Sequence, residues 1–419
     1  MAKPGKLLKI PSPIRLIGMG IALGGVGFGL FGVAYHGEND DVVSAFYPNV
    51  VTESLSIALA VIVIDALYER QETRREKERL IREMGCSDNG IALRAVKDLR
   101  VEGWLTDGTL NGHSLSKAAL QGADLRGACL HRVNLIGANL EGANLEGASL
   151  TGAVMYECNL QHVRLIRADL RGALLNKSRL NHAHLAEADL RGATLHGAEL
   201  EGALISAATQ LQQTDFEGAS FRGAKLNHTR MERAKLSWAD FDGASLAGAD
   251  LRGAVLHGTR LHKADLRGAD LASADLDQAR LQEAQMEGAL LHGANLLGTR
   301  LQWADLTGAD LRGAEMAGAT LHQTLLLGVS LEGAMHLTDS QLCTPRAMRG
   351  AVLPDGSRYD GHYLLAGDIH EACQAGINLH NAQSMADFYG VLLKVYADGQ
   401  MWMRAHLTLL RQTDLDPSC

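Results

Sequence analysis

Arg260, Arg280 and Arg300 recur at twenty-residue intervals, and Asp240 extends the series by one step. Guanidinium groups brought onto one line repel by ~0.9 kcal/mol per neighbouring pair in bulk water, so such a column splays into solvent unless an anion bridges it. The column is therefore the sharpest candidate partner-binding stripe, suited to an acidic protein. Asp169 and Asp189 form a carboxylate pair at the same interval, but acids recur throughout this stretch as solvated decoration and are not assigned acid–base work. His162 and His182 offer two imidazoles without a third ligand, too few for a metal site. The cysteines at 86, 129, 158, 343, 373 and 419 contain no CxxC pair and read as reduced thiols. No HExxH, GxSxG or P-loop string occurs. Gly27-x-Gly29-x-x-Gly32 matches a dinucleotide-binding string, but it lies in an apolar run with no strand before it. No catalytic residue, cofactor or metal is assigned, and the chain is expected not to be an enzyme.

What must position the arginines is a repeat. The chain has 419 residues, with 46 glycines, 7 prolines and only 5% aromatics, so it folds on small side chains. A large apolar residue stands at every fifth position from Leu115 to Ile205, then from Leu211 to Leu331 after one extra residue. The position two before it is mostly Ala. A period of five would smear these residues around a helix, whereas in extended chain the Ala and the Leu share a face. An odd period turns the next Leu outward unless a corner intervenes in each repeat. With corners near a right angle, four repeats close a square coil, and coils stack at ~4.8 Å, giving about eleven coils and ~53 Å. Leu125, Leu170, Phe221, Phe241, Leu251 and Leu311 are core positions. Phe221 and Phe241 are expected to stack one coil apart, with Phe216 on a neighbouring face. The extra residue within 206–210 is expected to form a bulge.

Strings such as Gly122-Ala123-Asp124-Leu125-Arg126-Gly127 and Gly248-Ala249-Asp250-Leu251-Arg252-Gly253 resemble the pentapeptide repeat family. The resemblance implies a mainly β fold, a right-handed quadrilateral β-helix. Leu337-Thr338-x-x-Gln341-Leu342 and Leu353-Pro354-Asp355-Gly356 resemble the segment that closes such rods. Some soluble members of the family imitate duplex DNA and bind topoisomerases, which implies an alternative function. Between residues 110 and 335, however, 25 acids stand against 21 bases, far from a continuous acidic surface, so nucleic-acid mimicry and nucleic-acid binding are disfavoured.

Five segments are expected: a basic cytoplasmic tail over 1–13, a transmembrane helix hairpin over 14–68 with spans near 14–35 and 50–68, juxtamembrane helices over 69–109, the repeat rod over 110–337, and a C-terminal cap with short helices over 338–419. Basic residues flank both outer ends of the hairpin (Lys3, Lys6, Lys9, then Arg70, Arg74, Arg75) while the acidic loop of 37–49 faces outward, which puts both termini and the rod on the cytoplasmic side. The pairing of a hairpin, an Arg-rich stalk and this repeat resembles the membrane-associated pentapeptide repeat proteins of bacteria, which implies a multi-pass inner-membrane protein. Gly20xxxGly24 and Gly25xxxGly29 suit close packing of the two spans, or of two protomers in a homo-oligomer. Ser87 is expected to cap a helix reaching residue 101, and 368–376 and 384–411 to be short helices. The expected partners are the lipid bilayer and an unidentified, acidic protein. The function expected is that of a non-enzymatic, membrane-tethered interaction scaffold, with an enzyme or regulatory module in the C-terminal helices as a further alternative.

Overall fold

The computed structural model describes residues 13–35 and 41–406. The basic tail with Lys3, Lys6 and Lys9, the acids Glu38 and Asp40, and Arg411 and Cys419 lie outside the described residues. The chain divides into two compact units, Met1–Arg79 and Leu80–Cys419.

In the first unit, α1 (Pro13–Tyr35) and most of α2 (Asp41–Met84) are helical. The loop expected over 37–49 is much shorter than that, because α2 begins at Asp41 and runs unbroken through Pro48. Gly18 approaches Val61 and Ile62, and an added Cβ at Gly25 would overlap Ser54. The packing glycines are thus Gly18 and Gly25, two helical turns apart on one face, whereas a Cβ at Gly20 or Gly24 would meet nothing within 4 Å. Among the described residues one helix, Val51–Met84, is long and apolar enough to cross a membrane, and the apolar part of α1, Leu16–Gly27, is shorter.

The second unit opens with the end of α2 and with α3 (Asn89–Val101), which is capped by Asp88 rather than Ser87: the Asp88 carboxylate accepts the Ile91 amide at 2.9 Å. Ala92, Ala95, Val96 and Leu99 form its buried stripe.

The repeat then winds in register. Ser114 pairs with Asn134, Asn134 with Val154, and so on in parallel at twenty-residue steps, with four such columns side by side. Every pairing is an isolated bridge, and the described residues contain no strand, so the mainly β expectation is corrected to a coil of bridges and corners. Its cause is local: each repeat spends two of its five residues on a turn. In one such corner the Ala128 amide donates to the Leu125 carbonyl at 3.1 Å, with Gly127 at φ 64°, the geometry of a type II turn. Coils are joined by backbone bonds, such as Leu125 N to Asn144 O at 2.7 Å and Asn144 N to Ala123 O at 2.9 Å. Leu125, Leu170, Phe221, Phe241, Leu251 and Leu311 are at most 1% exposed.

Where Ala is replaced by a polar residue, the burial is compensated. The Thr259 hydroxyl donates to the Leu236 carbonyl at 3.0 Å and Ser178 to Met155 at 2.6 Å, so neither hydroxyl is left unpaired in the core. At the extra residue the step between coils grows to twenty-one, from Asp189 to Gln210. Ser206 absorbs it: its hydroxyl accepts the Glu187 amide at 3.1 Å, and its carbonyl accepts the Thr209 amide at 3.0 Å.

Both open ends of the rod are closed. At the first coil, the Ala119 amide donates to the Cys86 carbonyl and the Cys129 amide to Leu105, while the Arg100 guanidinium donates to the Asp124 carbonyl at 2.7 Å. At the other end, α4 (Asp339–Leu342) brings the Gln341 amide group onto the carbonyls of Met316 and Ala319 at 3.0 and 2.9 Å. Beyond it follow α5 (Ala366–Gln374), α6 (Ala382–Tyr389) and α7 (Leu393–Ala405). Short helices are expected from 384 onward, and the described part of that stretch holds two, divided where Gly390 at φ 67° ends α6.

Candidate protein-binding face

Six arginines of the rod follow an Asp by two residues, and each is held by it. Asp124–Arg126, Asp169–Arg171, Asp189–Arg191, Asp250–Arg252, Asp265–Arg267 and Asp310–Arg312 close at 2.5 to 2.8 Å. The same Asp accepts the backbone amide two residues on, as in Arg126 N to Asp124 Oδ1 at 3.3 Å. These carboxylates brace the corners, and Arg126 beside Asp124 holds that carboxyl down at about 2. Asp169 and Asp189 are likewise lowered by Arg171 and Arg191, which leaves neither as a proton carrier near neutrality.

The arginine column behaves otherwise. Arg260, Arg280 and Arg300 pair backbone to backbone on successive coils, with Asp240 before them and Thr320 after. Arg260 is neutralised by Asp242 at 2.7 Å and Asp240 at 3.6 Å. Arg280 and Arg300 have no acidic partner among the described residues, so the ladder of three charges reduces to two. They line an open groove of about 450 Å³ with Gln282, Gln302 and Trp303. The Gln302 side-chain oxygen is buried without a hydrogen-bond donor among the described residues, and Trp303 is 57% exposed. Two guanidiniums one coil apart thus stand beside amides and an open indole, with Arg260, His262 and the carboxylates of Asp242 and Glu283 completing the groove. Gln282, Gln302 and Trp303 escape a reading that follows arginines alone, although Gln282 and Gln302 stand one twenty-residue step apart and each follows an arginine of the column by two residues.

The two histidines noted above lie face to face, with ring centroids 5.1 Å apart and planes 12° apart, a stack that does not converge nitrogens on one ion. His196, Asp215 and Glu217 have ligand atoms within 4.8 Å of one another, but Lys235 also reaches Asp215 at 3.4 Å. The described cysteines are free, and burial pushes the Cys158 thiol up to about 12.

A four-sided coil with one bridge per face is a solenoid class of its own. The family model for pentapeptide repeats matches residues 105–135, 134–172, 168–206, 207–237, 234–272, 269–308 and 304–335. The chain belongs to the pentapeptide repeat family, whose rods are right-handed quadrilateral β-helices. Among solved structures it is similar to HetL, a pentapeptide repeat protein involved in heterocyst differentiation regulation from the cyanobacterium Nostoc sp. strain PCC 7120, at 36% identity over 52% of this chain and 90% of that one, TM-score 0.36. It is also similar to trypsin-treated QnrB1, a plasmid-mediated fluoroquinolone resistance protein, at 19% identity over 43% of this chain and 91% of that one, TM-score 0.40. A thylakoid-lumen pentapeptide repeat protein of Arabidopsis thaliana is 29% identical over 25% of this chain and 70% of that one, TM-score 0.15. No curated protein matches the chain significantly.

Proposed function

We propose that the chain is a non-enzymatic scaffold, tethered to a membrane by its N-terminal helices, whose rod binds an acidic protein segment on the face of Arg280 and Arg300. The observation that carries this reading is the unpaired state of those two guanidiniums among the described residues, beside six others that are each tied to an Asp. A charge left open at an ordered, stacked position is available to a partner without first breaking an internal ion pair. The tether is supported by the apolar coat of the first unit: Leu23, Leu55, Leu59 and Leu67 are 54 to 75% exposed, a surface that lipid would cover. In this reading α1 and α2 form a hairpin of two spans, and the basic residues after the second span favour the rod on the cytoplasmic side. The interspersed acids and bases of the rod speak against imitation of DNA.

The test is capture of partners from a detergent extract by the full chain and by Arg280→Ser/Arg300→Ser. Loss of the captured proteins in the double variant, together with weaker capture by the wild type in high salt, is expected. Identical capture by both chains returns the face to plain solvated surface.

A further inference from the structure

The walls of the rod's groove restrict which anion can reach its two open charges. Arg280 and Arg300 are exposed and pair backbone to backbone on adjacent coils, a main-chain spacing of ~4.8 Å. The acids of the groove are already engaged: Asp242 holds Arg260 at 2.7 Å, and Glu283 holds Lys263 at 3.4 Å. What remains uncompensated is therefore two positive charges side by side, bounded by two carboxylates that belong to other bases.

A single carboxylate offsets one of these charges. A run of carboxylates offsets both, but it also brings like charge against Asp242 and Glu283, which is unfavourable. A phosphate monoester carries a charge of about −1.5 to −2 on three oxygens. One such group matches both guanidiniums from a single point, each arginine presenting its fork of N–H donors. Gln282 and Gln302 bring amide N–H donors to the same groove without adding charge. Trp303, 57% exposed, offers an apolar wall to the chain that carries the phosphate. The spread charge of an anionic membrane fits less well, since it too would meet the two carboxylates.

We propose that the acidic group taken by this face is a phosphorylated side chain, a phosphoserine in an otherwise uncharged stretch of protein, clamped between Arg280 and Arg300. The inference rests on the reading of this face as a protein-binding surface and specifies the anion it selects. Because both arginines hold one group, either of them alone is a poor receptor.

Two measurements test it. In the first, the full chain in phosphatidylcholine nanodiscs is titrated by calorimetry with a short Gly/Ala peptide bearing one central phosphoserine. The comparison probes are the same peptide with Ser, Glu or two adjacent Glu at that place, inorganic phosphate, and phosphatidylglycerol vesicles. Saturable binding of the phosphopeptide is expected, about tenfold tighter than that of any other probe. Arg280→Ser and Arg300→Ser are each expected to lose nearly as much affinity as the double variant, with thermal unfolding unchanged. The proposal is overturned by absence of saturable phosphopeptide binding, by equal or tighter binding of a Glu peptide, inorganic phosphate or the vesicles, or by losses that simply add. In the second, the detergent extract is treated with phosphatase before capture by the full chain, and loss of the captured proteins is expected. Capture that survives phosphatase but not Arg280→Ser/Arg300→Ser overturns the phosphate and leaves the acidic-segment reading standing. Capture that neither change affects overturns both.

Discussion

Phe221 and Phe241 lie face to face in the core, ring centroids 4.6 Å apart and planes 3° from parallel. Their separation is the rise of one coil expressed in side chains rather than in backbone. Phe216, on the adjoining face, meets Phe221 edge-on at 5.0 Å, the other favoured aromatic geometry. A core so tightly indexed tolerates change at its centre poorly and change on its corners well.

Replacing Leu251, 1% exposed, by Asp puts a charge inside a coil with no partner and is expected to lower the unfolding temperature severely or prevent folding. Arg252→Ser removes a side chain that is 55% exposed and paired with Asp250, and is expected to change stability by under about 1 kcal/mol. Thermal unfolding of the two variants side by side checks both, and equal melting temperatures would sink the core assignment.

Gly127 stands at φ 64° with open space around the position of a Cβ, so Gly127→Ala carries backbone strain alone and is expected to cost about 1 kcal/mol. Gly367 differs, since its φ is not in the left-handed region and a Cβ there would meet the Arg346 carbonyl at 2.5 Å. Gly367→Ala is expected to destabilise the chain by more than Gly127→Ala, although Ala favours helices. Chemical denaturation compares them, and a stabilised Gly367→Ala would contradict the packing.

Asp368 is fully buried in α5 and accepts the amides of Met348 and Arg349 at 3.1 to 3.2 Å, tying the cap to the last coil. Burial raises its pKa to about 7, above the ordinary value of 3.8. The unfolded chain therefore releases this proton first, and the folded state loses stability as pH rises from about 4 to about 7. Asp368→Asn is expected to remove that part of the pH dependence. Melting curves of both chains at pH 5 and pH 8 measure it, and parallel pH profiles would refute the assignment.

The rod was legible because its period is fixed: a small residue, a polar residue and a Leu in every five dictate which atoms face inward, whatever the twist. The lack of strands was not legible, since only the turn geometry at positions such as Gly127 reveals how little extended chain remains between corners. Nor was the glycine contact between the helices of the first unit. Gly18, Gly20, Gly24 and Gly25 look alike in sequence, and only their phase toward Ser54 and Ile62 separates them. The arginine column was legible from its interval of twenty, but not the removal of Arg260 from it, because the acid that neutralises it, Asp242, belongs to the coil before.

The sidedness of the membrane tether is open to a thiol test that the cap geometry modifies. Cys129 donates to the Thr106 carbonyl at 3.1 Å and is half-buried under the N-terminal closure, which makes it a poor reporter. A cysteine placed at exposed Lys225 serves better. With Lys225→Cys in intact cells, a membrane-impermeant maleimide is expected to leave this site unlabelled until lysis. Labelling before lysis would move the rod, and the search for its partner, to the outer side.

The twenty-one-residue step at Ser206 also bears on how such a chain can change over generations. Twenty residues correspond to sixty nucleotides, and an in-frame loss or duplication of that length removes or adds one whole coil while every column beyond it keeps its face. A fifteen-nucleotide change preserves the reading frame and the five-residue pattern, yet it rotates everything downstream by a quarter turn, carrying Arg280 and Arg300 to a different side from the residues that precede them. Ser206 marks a single codon whose length was absorbed without any rotation, since the columns continue across it from Asp189 to Gln210. Genetic drift in rod length is thus quantised by face, and a partner that reads one face sets which quanta survive.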